Sequence, residues 1–157
     1  MGPQSIVCPI DFSEQSYVAL AMANALASEI DATLYVVHVI SPAVSESEPM
    51  RKEFEAACKD LLQLAIAMFV SEDVNTRSTI VGGDTADEII SLSHNVQAGV
   101  IIMGTGGKTG WERARDGSIA DEVAHFSKCP VVAFSVSRTD KQWQSYDVFT
   151  DSYISLN

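Results

Sequence analysis

The sequence has few basic residues, few cysteines and no long apolar run. Its 10 lysines and arginines stand against 21 aspartates and glutamates, a formal net charge of -11. This balance disfavours nucleic acids and anionic membranes, because phosphate groups attract a basic surface. No apolar run approaches the roughly 20 residues that span a bilayer. Cys8, Cys58 and Cys129 are scattered without C-x-x-C spacing, which favours small buried residues and a reducing, cytoplasmic location.

The rest of the composition is that of an ordinary globular chain. Of the 157 residues, 46% are hydrophobic and 20% are charged. A chain of this length buries a sizeable core, and two domains would be cramped within it. The composition therefore predicts a single domain.

Strand patterns and helix patterns alternate along this chain. Short apolar runs bounded by turn residues predict buried strands, and they occupy residues 5–10, 32–40, 74–81, 100–103 and 130–134. A helical pattern separates each strand from the next, and Ser13 is a plausible N-cap of the first helix. Because parallel neighbours need crossover connections, five strands alternating with four helices predict a parallel sheet with helices on both faces.

The helical patterns also predict which residues face the core. Apolar residues of the first helix recur with the spacing of one helix face, at Ala19, Met22, Ala23, Leu26 and Ile30. The second helix is longer, and its expected buried stripe consists of Phe54, Ala57, Cys58, Leu61, Leu62, Ala65 and Met68. Of the three histidines, His38 is expected in a strand near the core, and His94 and His125 at helix surfaces.

The glycine-rich run "GTGGKTG" begins at Gly104 and suggests a phosphate-binding loop. It is not a Walker A loop, because the first glycine of that motif would fall on Ile102. A dinucleotide fingerprint fails as well, since its third glycine would fall on Thr109. The spacing that remains is G-x2-G-x9-G-S, in which Gly117 and Ser118 open a helix. Glycine amides and a helix N-terminus both favour an anion.

This spacing resembles the ATP-binding motif of the universal stress protein family, and the resemblance covers about residues 5–136. "IVCPIDFSEQSYVALAMANALA" is similar to that family's first strand and helix, "VVHV" to its second strand, and "VGGDTADEII" to its third strand–helix turn. "IIMGTGGKTG" followed by "GSIADEVAHFSKCPVVAF" is similar to its C-terminal signature. Four segments match in the same order, which a glycine pattern alone would not provide.

The resemblance implies a fold and an assembly. The expected fold is a single doubly wound α/β domain over residues 1–136, of the adenine nucleotide alpha-hydrolase-like type, with a five-stranded parallel sheet in the order 3-2-1-4-5 and four helices. Residues 137–157 would form a partly ordered C-terminal extension, or their aromatic residues would pack on a dimer or a partner. The family is usually a homodimer paired through the last strand, and its members with the intact glycine motif bind ATP.

The resemblance also implies the ATP-binding residues, which are Pro9, Ile10, Asp11, Val39, Met103, Gly104, Gly107, Gly117, Ser118 and Ile119. The first three would form the adenosine-binding turn, with the Asp11 carboxylate accepting from a ribose hydroxyl or the adenine amine. Alternatively, Asp11 only caps the helix that begins near Ser13. Val39 would contact adenine, Met103 and Gly104 would border the ribose and first phosphate, and the remaining residues would surround the phosphates.

The segment before Gly117 departs from the family pattern. Relatives are apolar there, whereas this chain has "WERARD" and so places Asp116 beside the phosphates. Lys108, Arg113 and Arg115 either meet phosphate or remain solvated. No metal site is indicated by the spacing of histidines and carboxylates, and Mg2+ would be held through the ATP oxygens.

Three functions remain open at this point. The first is an ATP-binding regulatory protein of the stress response in which ATP orders loop 104–117. The second is a slow ATPase or self-phosphorylating protein, with Ser118 or Thr109 as acceptor, although no residue is assigned as catalytic. The third is a dimeric interaction module without bound nucleotide.

Overall fold

The computed structural model describes residues 4–42, 47–105, 119–134 and, for the backbone alone, 146–149. The described elements, in chain order, are β1 (Ser5–Pro9), α1 (Glu14–Ile30), β2 (Thr33–Ile40), α2 (Glu48–Phe69), β3 (Thr76–Gly82), α3 (Thr85–Asn95), β4 (Val100–Gly104), α4 (Ile119–Phe126), β5 (Val131–Phe134) and β6 (Tyr146–Phe149). The predicted alternation of strands and helices is confirmed, and the first five strands begin and end within two residues of the predicted limits.

The strands form one sheet in the order β3-β2-β1-β4-β5-β6. Strands β1 to β5 are all parallel to one another, so the predicted order 3-2-1-4-5 of a doubly wound sheet is confirmed. The order reverses beside β1, which pairs with β2 on one side and β4 on the other. In sheets of this kind, ligands bind beyond the carboxyl ends of the strands at that reversal.

Strand β6 was not predicted, and it lies in the segment expected to form a C-terminal extension. It runs antiparallel to β5, with Val131 opposite Phe149 and Phe134 opposite Tyr146. This strand therefore occupies the outer edge of β5, the edge through which the resemblance implied a dimer. A strand of four residues is too short for apolar periodicity to distinguish it from a loop. The predicted boundary between domain and extension at residue 136 stays a prediction.

Two apolar cores lie on the two faces of the sheet. One contains buried residues of α1 and α2, among them Leu20 and Leu62, which pack on Ile6 and Leu34 of the sheet. The other contains buried residues of α3 and α4, among them Ile89 and Val123. None of the helices in the described ranges is long and apolar enough to cross a membrane.

The predicted buried faces of α1 and α2 are partly wrong. In α1, Met22 and Ile30 are exposed, whereas Ala19 and Ala23 are buried as predicted, together with Ser16, Leu20 and Ala27. In α2 only part of the predicted stripe is buried, namely Cys58, Leu62 and Ala65. Phe54, Ala57, Leu61 and Met68 are exposed. Apolar spacing alone does not separate two adjoining stripes of one helix, and the position of the sheet decides which stripe is covered.

Candidate nucleotide-binding site

The carboxyl ends of β1, β2 and β4 bring together the described part of the predicted site. Pro9, Ile10 and Asp11 end β1 and begin the turn into α1, Val39 lies near the end of β2, and Met103 and Gly104 end β4. Because β1 pairs with both β2 and β4, the three segments lie side by side at the reversal of strand order. The topology therefore assembles a candidate site from residues that are far apart in the sequence.

The turn between β1 and α1 is fixed to β2 at two points. The Ile10 amide donates to the Val37 carbonyl at 2.8 Å, and the Ile10 carbonyl lies 2.6 Å from His38 Nδ1. Because a carbonyl only accepts, Nδ1 carries the proton of this bond. The Phe12 ring packs against the His38 ring in a tilted arrangement, with 4.5 Å between centroids and 38° between the ring planes, and Phe12 has a positive φ of 64°. His38 is half-buried, as predicted, but its bond to the turn was not predicted, because a single strand pattern does not show what its neighbours offer.

Asp11 is exposed and precedes the helix cap. Its Oδ1 accepts from the Ser13 amide at 2.9 Å and from the Ser13 hydroxyl. Ser13 is the N-cap, as predicted, since its Oγ accepts from the Ser16 amide at 3.2 Å. Asp11 thus holds the capping serine with one carboxylate oxygen, and it does not cap α1 itself. No described residue donates to Oδ2, which leaves that oxygen able to accept from a ligand.

Gly104 lies against the first turn of α1. A Cβ atom at this position would lie 2.6 Å from the carbonyl carbon of Gln15 and 2.7 Å from the Ser16 nitrogen. Only glycine therefore allows β4 to end this close to the helix. The next residue, Thr105, is buried and fixes the chain to β5, because its amide and hydroxyl donate to the Phe134 carbonyl at 2.7 Å and 3.1 Å.

The apolar site residues differ in how much of their side chains a ligand could contact. Val39 is half-buried and packs with Val81 at the edge of the core beneath α3 and α4, and the two are opposite each other in the sheet. Met103 is only 4% exposed and lies within that core. Its side chain is therefore committed to packing, and a ligand would meet its backbone. Pro9 and Ile10 are also buried.

The predicted phosphate-binding residues lie mostly outside the described part of the chain. Gly107, Gly117 and Ser118 belong to this group, as do Lys108, Thr109, Arg113, Arg115 and Asp116. Ile119 begins α4 and is 45% exposed. The first turn of α4 also carries Asp121 and Glu122, whose charges oppose an anion at that helix end. The described residues are thus mainly those predicted to contact adenosine.

A cavity that was not predicted opens beside the residues predicted to contact adenosine. It has a volume of about 500 Å³ and lies between the carboxyl ends of β2 and β3 and the first turns of α2, a size that suits a small ligand. Its lining combines apolar and charged residues, namely Ile40, Ser41, Pro42, Arg51, Phe54, Glu55, Ile80, Val81, Gly82 and Gly83. Arg51 is paired with Glu48 at 2.7 Å. None of the predicted site residues lines this cavity.

Three exposed carboxylates meet between α3 and α4. Asp84, Asp87 and Glu122 each place one oxygen within 4.8 Å of the others. Asp84 is the N-cap of α3 and accepts from the Asp87 amide at 3.1 Å. Exposed acidic groups of this kind are common without an ion, so we assign no ligand to them.

The fold and the site together define a class. A doubly wound sheet of this kind is a common framework of nucleotide-binding α/β domains, which bind their ligands where the strand order reverses. Residues 3–135 match the sequence model of the universal stress protein family. The chain belongs to the universal stress protein family, and the resemblance inferred from the motifs is confirmed.

Individual relatives agree with this assignment. The chain is 33% identical over 140 residues to the universal stress protein MJ0531 of Methanocaldococcus jannaschii, covering 82% of this chain and 80% of the relative. Among solved structures it is similar to the hypothetical protein MJ0577, with a TM-score of 0.74, 24% identity and coverage of 87% and 98% of the two chains.

Two similar solved structures contain adenine nucleotides. A universal stress protein in complex with cAMP has a TM-score of 0.67 and 22% identity. The match covers 87% of this chain and 100% of that chain. The universal stress protein of Archaeoglobus fulgidus in complex with dAMP has a TM-score of 0.62 and 20% identity, with coverage of 84% and 97%. At these identities the likeness establishes the fold.

Proposed function

We propose that this protein is a regulatory stress-response protein that binds ATP beyond the carboxyl ends of β1 and β4. The observation that carries the proposal is the exposed Asp11 carboxylate, which is held by the Ser13 cap through one oxygen only. A ribose hydroxyl or the adenine amine is a suitable donor to the other oxygen. Val39 supplies an adjacent apolar surface for the base, and the likeness to proteins solved with cAMP and dAMP supports an adenine nucleotide.

The remaining assignments follow from the family resemblance and belong to the same proposal. Pro9, Ile10, Met103 and Gly104 border the adenosine and the first phosphate. Amides of Gly107, Gly117 and Ile119 and the Ser118 hydroxyl surround the phosphates, and Mg2+ is held through the phosphate oxygens. Bound ATP then orders loop 104–117 and changes the surface offered to a protein partner. The free Cys8, Cys58 and Cys129 support a cytoplasmic setting for this function.

We further propose that the protein acts as a homodimer through its last strand. Because β6 occupies the outer edge of β5, the strand that ends the described sheet is β6. A second copy would extend the sheet by pairing along that edge, since an edge strand offers unpaired amides and carbonyls.

Nucleotide binding is tested with the purified full chain. Denaturation followed by chromatography identifies any co-purified nucleotide, and the melting temperature is then followed as Mg-ATP is added to the emptied protein. At 100 times the dissociation constant, binding stabilises by about 2.7 kcal/mol, so we expect a saturable rise of roughly 5 to 10 °C. A Gly117→Val variant should lose this rise. Neither nucleotide nor a rise would reject the proposal and favour a module without nucleotide.

Loop ordering and hydrolysis are separated by two further measurements. Hydrogen exchange across residues 104–117 should slow when Mg-ATP saturates the protein, and unchanged exchange would reject the ordering step. Phosphate release that scales with protein concentration and disappears in Gly117→Val would instead show a slow ATPase.

A further inference from the structure

The helix α2 carries two apolar stripes, and only one of them faces the sheet. Cys58, Leu62 and Ala65 are buried. The second stripe, which we call the outer stripe, is exposed along its whole length and consists of Met50, Phe54, Ala57, Leu61, Leu64 and Met68. On a helix with 3.6 residues per turn it lies about 100° around the axis from the buried stripe. It is therefore not the solvent-facing margin of the core but a second apolar face.

The spacing of the outer stripe is that of a coiled-coil seam. Successive members are separated by four, three, four, three and four residues, which is the alternation of a and d positions in a heptad repeat. A helix that contacts only a sheet of its own domain does not need this regularity. The sequence of spacings is the same from either end of the helix. The apolar residues of one copy can therefore lie opposite those of a second copy that runs antiparallel.

An antiparallel pair would place complementary side chains opposite each other. Centred on residue 59, such a pair brings Met50 opposite Met68 of the second copy, Phe54 opposite Leu64, and Ala57 opposite Leu61. Each of these layers pairs an a position with a d position. The smallest residue of the stripe faces a leucine at the centre, which allows the helices to approach closely.

The exposed area is sufficient for a weak, specific interface. The five large side chains of the outer stripe are each 38% to 65% exposed, and at these fractions they expose on the order of several hundred Å² of apolar surface. Two copies would bury on the order of 1,000 Å², the lower limit for a specific protein–protein interface. A reversible association is therefore expected, with a dissociation constant in the micromolar range.

We propose that the outer stripe of α2 is a self-association surface that pairs with a second copy of this chain in antiparallel orientation. This interface is separate from the sheet edge at β6 and goes beyond the proposed nucleotide function. The flank of the stripe away from the sheet carries Glu53 and Asp60, both exposed. In the antiparallel register Asp60 approaches its own copy near the two-fold axis, whereas Glu53 lies opposite Ala67.

The first test measures mass by sedimentation velocity over a range of concentrations from about 1 to 300 µM. Leu64→Lys places a charge in the seam and should raise the dissociation constant at least tenfold, which lowers the weight-average mass at concentrations near the original dissociation constant. Ala56→Lys adds the same charge to an exposed position of the same helix outside the stripe and its flanks and should change the mass little. If the parent protein also pairs through the β6 edge, that pairing survives in Leu64→Lys and a tetramer becomes a dimer. If the β6 edge does not pair, a dimer becomes a monomer.

The second test uses a variant expected to strengthen the association. Asp60→Asn removes the repulsion between like charges at the axis and should lower the dissociation constant roughly threefold. The charge-matched control Glu29→Gln lies on α1 and should have no such effect. If Leu64→Lys leaves the mass unchanged, or if Asp60→Asn does not strengthen association, the proposal is wrong. The Mg-ATP melting shift should persist in all four variants, so failure here is distinct from failure of nucleotide binding.

Discussion

The turns that precede α1 and α3 use an aspartate in different ways. At the start of α3, Asp84 is itself the N-cap and accepts from the Asp87 amide at 3.1 Å. At the start of α1 the cap is Ser13, and Asp11 stands two residues earlier, exposed. Each aspartate uses only Oδ1 within its own turn, but Asp11 follows β1, where the strand order reverses, whereas Asp84 follows the edge strand β3. We therefore expect the first turn to bind the ligand of the proposed function and the second to stabilise its helix.

The largest effect is expected from closing the contact between the first turn and β4. Gly104→Ala would place a Cβ atom 2.6 Å from the Gln15 backbone, and a helix backbone does not move aside cheaply. We expect a loss of about 2 to 3 kcal/mol in the free energy of unfolding, measured by urea denaturation.

Gly99→Ala is the matched control for that variant. The nearest atom to its added Cβ is the Ser5 carbonyl oxygen at 3.8 Å, an ordinary contact. This change should stay within about 0.5 kcal/mol. Equal losses in the two variants would show that the close approach of α1 to β4 is not what Gly104 provides.

The next effect concerns nucleotide affinity and the first turn. Asp11→Asn keeps an oxygen for Ser13 but removes the charge that strengthens a hydrogen bond to the ligand. Hydrogen bonds to charged groups contribute about 1.5 to 3 kcal/mol, so the affinity for Mg-ATP should fall about 10- to 100-fold. Isothermal titration calorimetry measures this loss. The corresponding Asp84→Asn variant should bind Mg-ATP as the parent protein does, and a loss in both would remove the distinction between the turns.

A smaller effect on stability is expected from the second turn. Asp84→Ala removes the cap of α3 and should cost about 1 kcal/mol in the free energy of unfolding. Asp84→Asn should restore most of it, because asparagine caps as well as aspartate does. Both variants relieve the same repulsion from Asp87 and Glu122, so urea denaturation of the pair isolates the cap. If alanine is tolerated as well as asparagine, Asp84 does not stabilise α3 through its cap.

The smallest effect tests how firmly β1 is held just before the first turn. Cys8 is fully buried in β1, and burial raises the pKa of its thiol. Because the thiolate is the reactive form, a thiol reagent at pH 8 should modify the half-buried Cys129 first and Cys8 slower by a factor on the order of 100. Mass spectrometry of the time course identifies the sites, and in urea all three cysteines should react. Rapid native modification of Cys8 would mean that β1 opens readily.

Much of the fold was predictable from local patterns. The strand at residues 33–40 and the helix beginning after Ser13 follow from apolar runs, periodicity and a capping residue, which are properties of neighbouring residues. The strand β6 was missed because its pairing with β5 depends on an edge that the sequence does not display. For the candidate site, the motif indicated Asp11 and Gly104 but not the bond from His38 to Ile10 or the contact of Gly104 with α1. These depend on elements brought together across the sheet.

The sequence by itself determined the family, the alternation of strands and helices, and the order in which the site segments occur. These are encoded in spacing along the chain, which is local information. Only the tertiary structure decided which stripe of α2 is covered, why Gly104 must lack a side chain, and that His38 holds the turn before α1. Each of these depends on the distance between residues far apart in the sequence, and that distance is fixed only when the helices pack on the sheet.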